Sequence, residues 1–376
     1  MTAPRAAGRR MRLGGLAMLF ACLLGLAGAA SGGLLAPAST QLIADEVRLD
    51  QHAPIASNFD RRRELQRADV PASASPDVVG AFRFICQAGH ISADDPIVYP
   101  GQRGRSHLHQ FFGNTLTNAD SSYESLRTTG DSTCMGPLNR SAYWMPAMLN
   151  GMGQVVRPDY VSIYYKRLPE SDPACRRQGR ACVPLPRGLR FIFGHDMLDM
   201  RNAPTGNAYW NCQGAGATPG HYPSLAEARR HCAAGSQIGA IIVAPDCWDG
   251  ANLDSPDHRS HISYAGYGDT GVLRCPASHP FVIPQFTLGA WYTSDASLPK
   301  WHLSSDRMPG MAPMEDGTSL HSDWWGAWDD ETMATWTAHC INRKLNCSDG
   351  VLGDGTGMKR PAGFGYTATP RLVRVP

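Results

Sequence analysis

The stretch VVGAFRFIC, Val78 to Cys86, gathers β-branched and aromatic side chains in the manner of a strand. Working outward from it, similar runs recur at YVSIYYKR (Tyr160 to Arg167), LRFIFG (Leu189 to Gly194), GAIIVA (Gly239 to Ala244) and FVIPQFTLGAWYT (Phe281 to Thr293). Glycine and proline punctuate the intervals between them. Two segments read as helices. SLAEARRHC, Ser224 to Cys232, opens with a capping box of Ser224 and Glu227 and stops at Gly235. ETMATWTAHCINRKL, Glu331 to Leu345, follows an acidic Asp329–Asp330 start that suits a helix amino terminus. Strands dominate and do not alternate with helices. The expected fold is therefore mainly β, an antiparallel β-sandwich or distorted barrel with long loops, few helices and disulfide staples.

A chain of 376 residues with 43% apolar and 18% charged residues has a globular composition and can bury a sizeable core. Its amino terminus carries Arg5, Arg9, Arg10 and Arg12, then an apolar run from Leu13 to Ala27, then Gly28, Ala29 and Ala30. That pattern predicts a secretory signal over residues 1–30, with an uncleaved anchor as the alternative, and an extracellular or periplasmic location. Removing residues 1–29 takes away those four arginines and no acid, so the formal charge falls from +2 to −2. No basic nucleic-acid footprint is expected, and no membrane contact unless the anchor is retained. With Cys22 in the signal, ten cysteines remain, an even number that suits disulfides, and no pair has the C-x-x-C spacing of a zinc site. Sequence leaves their connectivity open. Short loops favour Cys175–Cys182, Cys212–Cys232 and Cys340–Cys347, and Cys86–Cys134 with Cys247–Cys275 would complete five bridges.

Residues 31–76 are polar, with the charged run DRRRELQR (Asp60 to Arg67), and read as a stalk or linker before a single β-rich domain over 77–376. Within that domain, CWDGANLDSPDHRSHISY (Cys247 to Tyr264) puts Asp249, Asp254, Asp257, His258 and His261 into one turn-rich loop ending in a short strand. SHLHQFFG (Ser106 to Gly113) spaces His107 and His109 two apart, so that on a strand both imidazoles share a face. GHDMLDM adds His195 and Asp196 just after a strand. HSDWWGAWDD (His321 to Asp330) combines His321 and Asp323 with Trp324, Trp325 and Trp328, whose rings can fill a core or stack on a sugar.

Taken together, RFICQAGHISADDPIVYPG, SHLHQFFGN, RSAYWMPAM, CWDGANLDSPDHRSHISY and CPASHP resemble the family of secreted fungal and bacterial proteins catalogued as domain of unknown function number 1996. The resemblance runs from about Phe82 to about Asp330. It implies export and a carbohydrate or cell-wall context, because fungal members are often joined to wall-binding WSC modules. The matching polar positions are Asp95, His107, His109, Tyr143, Trp144, Asp249, Asp254, Asp257, His258 and His261.

Three functions fit. The first is a hydrolase of glycosidic bonds in cell-wall or environmental polysaccharide. There Asp257 and Asp249 would form the acid–base pair, with His107, His109 and His258 tuning charge and Trp324, Trp325, Tyr143 and Trp144 contacting the sugar. The second is a metal protein in which His107, His109, His258 and His261, with Asp257, hold zinc or copper. The third is a wall protein that binds glycan without turnover. The dense carboxylate–imidazole grouping puts the hydrolase first.

Overall fold

The computed structural model describes residues 49–73, 79–176, 181–197, 206–267, 273–368 and 370–376. The expected signal lies outside these residues. The fold is mainly β. Among the described residues there are four short α-helices, and no helix is long and apolar enough to cross a membrane.

Two sheets carry the architecture. The larger has six strands in the order Ala208–Gln213, Gln237–Val243, Gln285–Thr293, Tyr160–Arg167, Gly80–Cys86, Asn346–Cys347. All its pairings are antiparallel except the last. In Tyr160–Arg167 the even-numbered residues are half-buried while Val161, Ile163, Tyr165 and Arg167 are buried, the period-two signature of one face against a core. FVIPQFTLGAWYT forms two strands, Phe281–Val282 and Gln285–Thr293, because Pro284 has no N–H to give a ladder.

The smaller sheet has five strands in the order Arg190–Gly194, His321–Trp325, Ala142–Pro146, His109–Gly113, Ile91–Ser92, all antiparallel. Its inner face supplies Phe112, Tyr143, Met145, Phe191, Phe193 and Trp324 to the main core. Phe286 of the larger sheet sits among them, its ring centroid 5.3 Å from those of Phe193 and Trp324 and 6.1 Å from those of Tyr143 and Phe191. The Tyr143 and Tyr165 hydroxyls meet across the sheets at 2.9 Å, satisfying two buried polar groups at once. The two sheets therefore form a sandwich, as the strand pattern predicts.

All five expected disulfides are present: Cys86–Cys134, Cys175–Cys182, Cys212–Cys232, Cys247–Cys275 and Cys340–Cys347. They suggest an oxidising, extracellular environment. Two expectations need correction. The helix read over Ser224–Cys232 is a single turn, Leu225–Ala228, although Ser224 does cap it by accepting from the Glu227 amide. Tighter turns at Arg230 and His231 bring Cys232 to its partner instead. The polar stretch ending at residue 76 is not a free stalk from Leu49 to Ser73. Leu49, Phe59 and Leu65 pack on the main core, Arg61 donates to Thr332 and Glu331, and Leu65–Arg67 pairs with Thr356–Met358.

Phe286→Ala should cost ~3–5 kcal/mol, because it empties the middle of the interface between the sheets. Chemical denaturation measures the loss. The site described below, on the opposite face of the smaller sheet, should keep its ligand stoichiometry.

Candidate functional site

The outer face of the smaller sheet carries a different set of side chains. Alternation along His321–Trp325 turns His321, Asp323 and Trp325 outward while Ser322 and Trp324 turn away. Asp323 pairs with Trp144 and with Ile192, and His109 pairs with Pro146. Extending that register by two residues sets His321 beside Pro146 as well, so His109 and His321 flank one proline on one face. His107, just before its strand, completes the group. Its ring centroid lies 4.1 Å from that of His109 and 5.2 Å from that of His321.

One ring nitrogen from each of His107, His109 and His321 lies within 4.8 Å of the other two. The same spacing links His109 to carboxylate oxygens of Asp95 and Asp323. The hydrogen bonds behind the rings decide which nitrogens face inward. The His109 Nδ1–H donates to the Asp94 carbonyl at 3.0 Å, and the His321 Nδ1–H donates to the Ser319 carbonyl at 2.8 Å. Ser304 spends its proton on the Leu108 carbonyl, so its oxygen accepts from the His107 Nδ1–H at 3.2 Å. Each imidazole thus keeps an Nε2 lone pair directed away from its anchor, the arrangement that outer hydrogen bonds impose on metal-binding histidines. The His109 Nε2 and the Asp323 Oδ2 are buried without any hydrogen-bond partner.

Electrostatics agree with this geometry. Burial pushes His107 down to about 4. Burial, then the neighbouring imidazoles, holds His109 well below its ordinary value, and burial followed by His107 does the same to His321. Burial and then the charge of Asp95 raise Asp323 well above the usual carboxylate range. Asp95 is raised by burial although the Val98 and Ile97 amides donate to it. The cluster thus sets neutral imidazoles beside carboxyl groups that resist ionising. A cavity of about 180 Å³, lined by Asp95, His107, His321 and Asp323 and by Arg259 from the 253–261 loop, opens above them.

The conspicuous CWDGANLDSPDHRSH loop does not join this cluster. It covers the outer edge of the smaller sheet, where the Leu253 and His258 carbonyls accept from the Arg190 and Ile192 amides. Asp249 accepts from the Ala251 and Asn252 amides and from the Asn252 side chain. Partial burial opposes ionisation of Asp257, but the Ser260 amide, the Ser255 hydroxyl, the Arg259 amide and the Ser260 hydroxyl outweigh it. Its pKa falls far below the ordinary value. Both carboxylates are turn formers, and Asp257 holds no proton to donate at neutral pH. His258 bonds to Asp254 at 2.8 Å, and Asp254 also takes the Arg190 guanidinium. His261 has both ring nitrogens engaged, by Ser255 and by the Arg190 carbonyl. Of the residues expected to gather, the structure therefore brings His107 and His109 together without His258, His261 or Asp257, and sets His321, Asp95 and Asp323 beside them.

The expected aromatic platform is also absent from the cleft. Tyr143, Trp144 and Trp324 are wholly buried and Trp325 nearly so, beneath the Arg190 guanidinium. None offers a ring face to a sugar. His195 is buried with both ring nitrogens unpartnered, and its carbonyl accepts from Arg259. The signal for the missed neighbours His321 and Asp323 was their H-x-D alternation, the same period-two pattern that H-x-H displays.

The molecule is thus a disulfide-stapled β-sandwich with a histidine–carboxylate cluster under a cleft. Residues 95–328, more than half of the chain, match the domain of unknown function DUF1996, and the chain belongs to that family. No curated protein and no solved structure matches it.

Two measurements test the geometry. Gly194 lies opposite His321 with φ +90°, and a Cβ there would come within 2.7 Å of the Leu320 carbonyl and 2.8 Å of the His321 Cα. Gly194→Ala should displace His321 and weaken any ligand of the cluster, read by titration calorimetry, while removing no ligand atom. The second concerns pH. An imidazole whose folded pKa is depressed leaves the unfolded chain to bind the proton first, so stability is lost as pH falls below about 6.5. Asp95 and Asp323, raised in the fold, act in the opposite sense and cost stability as pH rises. Thermal melts of metal-free protein from pH 7 to 4 should show a shallower acid loss in His321→Gln than in the wild type.

Proposed function

We propose that the protein is a metalloprotein whose centre is formed by His107, His109 and His321 with Asp323 and Asp95, and whose ligand or substrate enters through the cleft above them. The observation that carries this reading is the set of three Nδ1-anchored imidazoles that bring one ring nitrogen each within 4.8 Å of the other two, with the His109 Nε2 buried and without a partner. Nitrogen and carboxylate donors suit a first-row divalent ion. Three imidazoles beneath an open cavity resemble a catalytic site more than a closed structural one. A bound ion would supply Lewis acidity and lower the pKa of a water molecule toward neutrality. The protein's own groups orient the imidazoles, keep them neutral and place Arg259 at the rim.

Elemental mass spectrometry on tag-free protein purified without chelator tests this. About one equivalent of metal is expected, lost in His109→Ala and His321→Ala and retained in Asp257→Asn. Retention in both histidine variants would sink the assignment.

A glycoside hydrolase acting on wall polysaccharide is the second reading. It is supported by the closeness of Asp95 and Asp323, a carboxyl pair of raised proton affinity of the kind acid–base hydrolysis uses. Asp95 and Asp323 then take the place of the pair first expected of Asp249 and Asp257. Release of reducing sugar that survives chelation and fails in Asp323→Asn would favour it over the metal centre.

A further inference from the structure

Between the turn Ser304–Arg307 and the strand His321–Trp325 the chain reads MPGMAPM, residues 308–314, with methionines at intervals of three. Met308 and Met311 line the same cavity as His107 and His321, and so does Met197. All three are half-buried, and none belongs to either hydrophobic core. The loop is held in place. Buried Asp306 accepts from the Leu303 and Gly317 amides and from the Ser319 hydroxyl, and the Met314 and Met311 amides donate to the Asp306 and Met308 carbonyls.

We infer that the cluster is a copper site and that Met308 and Met311, with Met197, form a thioether mouth that binds Cu(I) above the imidazoles. This rests on the metal centre proposed above. A thioether is a soft, uncharged donor with little attraction for zinc, manganese or iron in the divalent state, and it selects Cu(I) among the first-row ions. Imidazole accepts copper in either oxidation state, and the carboxyl groups of Asp95 and Asp323 are hard donors suited to Cu(II). Ten of the eleven cysteines are tied in disulfides, so among the described residues methionine is the soft sulfur ligand left to this fold.

Cu(I), Cu(II) and Zn(II) titrations of the full-length protein against competing chelators separate the alternatives. Wild type, a Met308→Leu/Met311→Leu double variant and His109→Ala are compared. Leucine keeps the volume and apolar character of methionine, so the fold should be retained. The double variant should lose Cu(I) affinity by about tenfold or more and keep its Zn(II) and Cu(II) affinities, whereas His109→Ala should weaken all three. Sulfur scattering in the X-ray absorption fine structure of the Cu(I) form should fall in the double variant to no more than the single thioether of Met197. Unchanged Cu(I) affinity in the double variant, with metal binding still lost in His109→Ala, would overturn the copper inference and leave the metal centre standing. Unchanged affinities in His109→Ala, or no binding in the wild type, would overturn both.

Discussion

The hydrogen-bonded register that sets Asp323 opposite Trp144 and His109 opposite Pro146 decides which side chains meet the interior of the sandwich and which meet the cleft. A slip of one residue would carry His321 and Asp323 into a core of phenylalanine and tryptophan and turn Trp324 out of it. The inner face guards against that slip. Phe286 is enclosed by Tyr143, Phe191, Phe193 and Trp324, which fit around it only in the observed pairing. Packing on one side of the smaller sheet therefore aligns the polar groups on the other, and the site inherits its precision from a core that it does not touch.

That precision has an energetic counterpart. Burying the His109 Nε2 and the Asp323 Oδ2 without partners costs roughly 1–3 kcal/mol for each group. Five disulfides work in the opposite direction by restricting the unfolded chain.

Much of the fold was legible because strand formation and cysteine pairing leave local traces. VVGAFRFIC, YVSIYYKR and GAIIVA each became strands of the larger sheet, and the short-loop cysteine pairs closed as their spacing suggests. The site was half legible. The H-x-H spacing put His107 and His109 together, but the partners contributed by His321, Asp323 and Asp95 depend on a pairing between strands far apart in the chain, and spacing carries no record of it. The loop from Cys247 to Tyr264 misled for a physical reason. Aspartate and histidine are as useful for closing turns and shielding a sheet edge as they are for chemistry, and there Asp249, Asp254 and Asp257 are spent on backbone amides and on Arg190. Leu49 to Ser73 misled in the opposite direction, because a polar composition does not prevent a segment from binding through arginine and one strand pairing.

The pairing of Leu65–Arg67 with Thr356–Met358 joins segments so distant that the Gln66 side chain reaches a carbonyl 292 positions away. Synthesis has to reach Met358 before this closure can form, so the amino-terminal strand waits unpaired while everything between is made. Contacts of such long range also make folding slow. The Cys340–Cys347 bridge, close to the same end, is correspondingly among the last that oxidation can set. Such a chain stays open long after its first strands are made, and its five bridges suggest that it is sealed where thiols are oxidised.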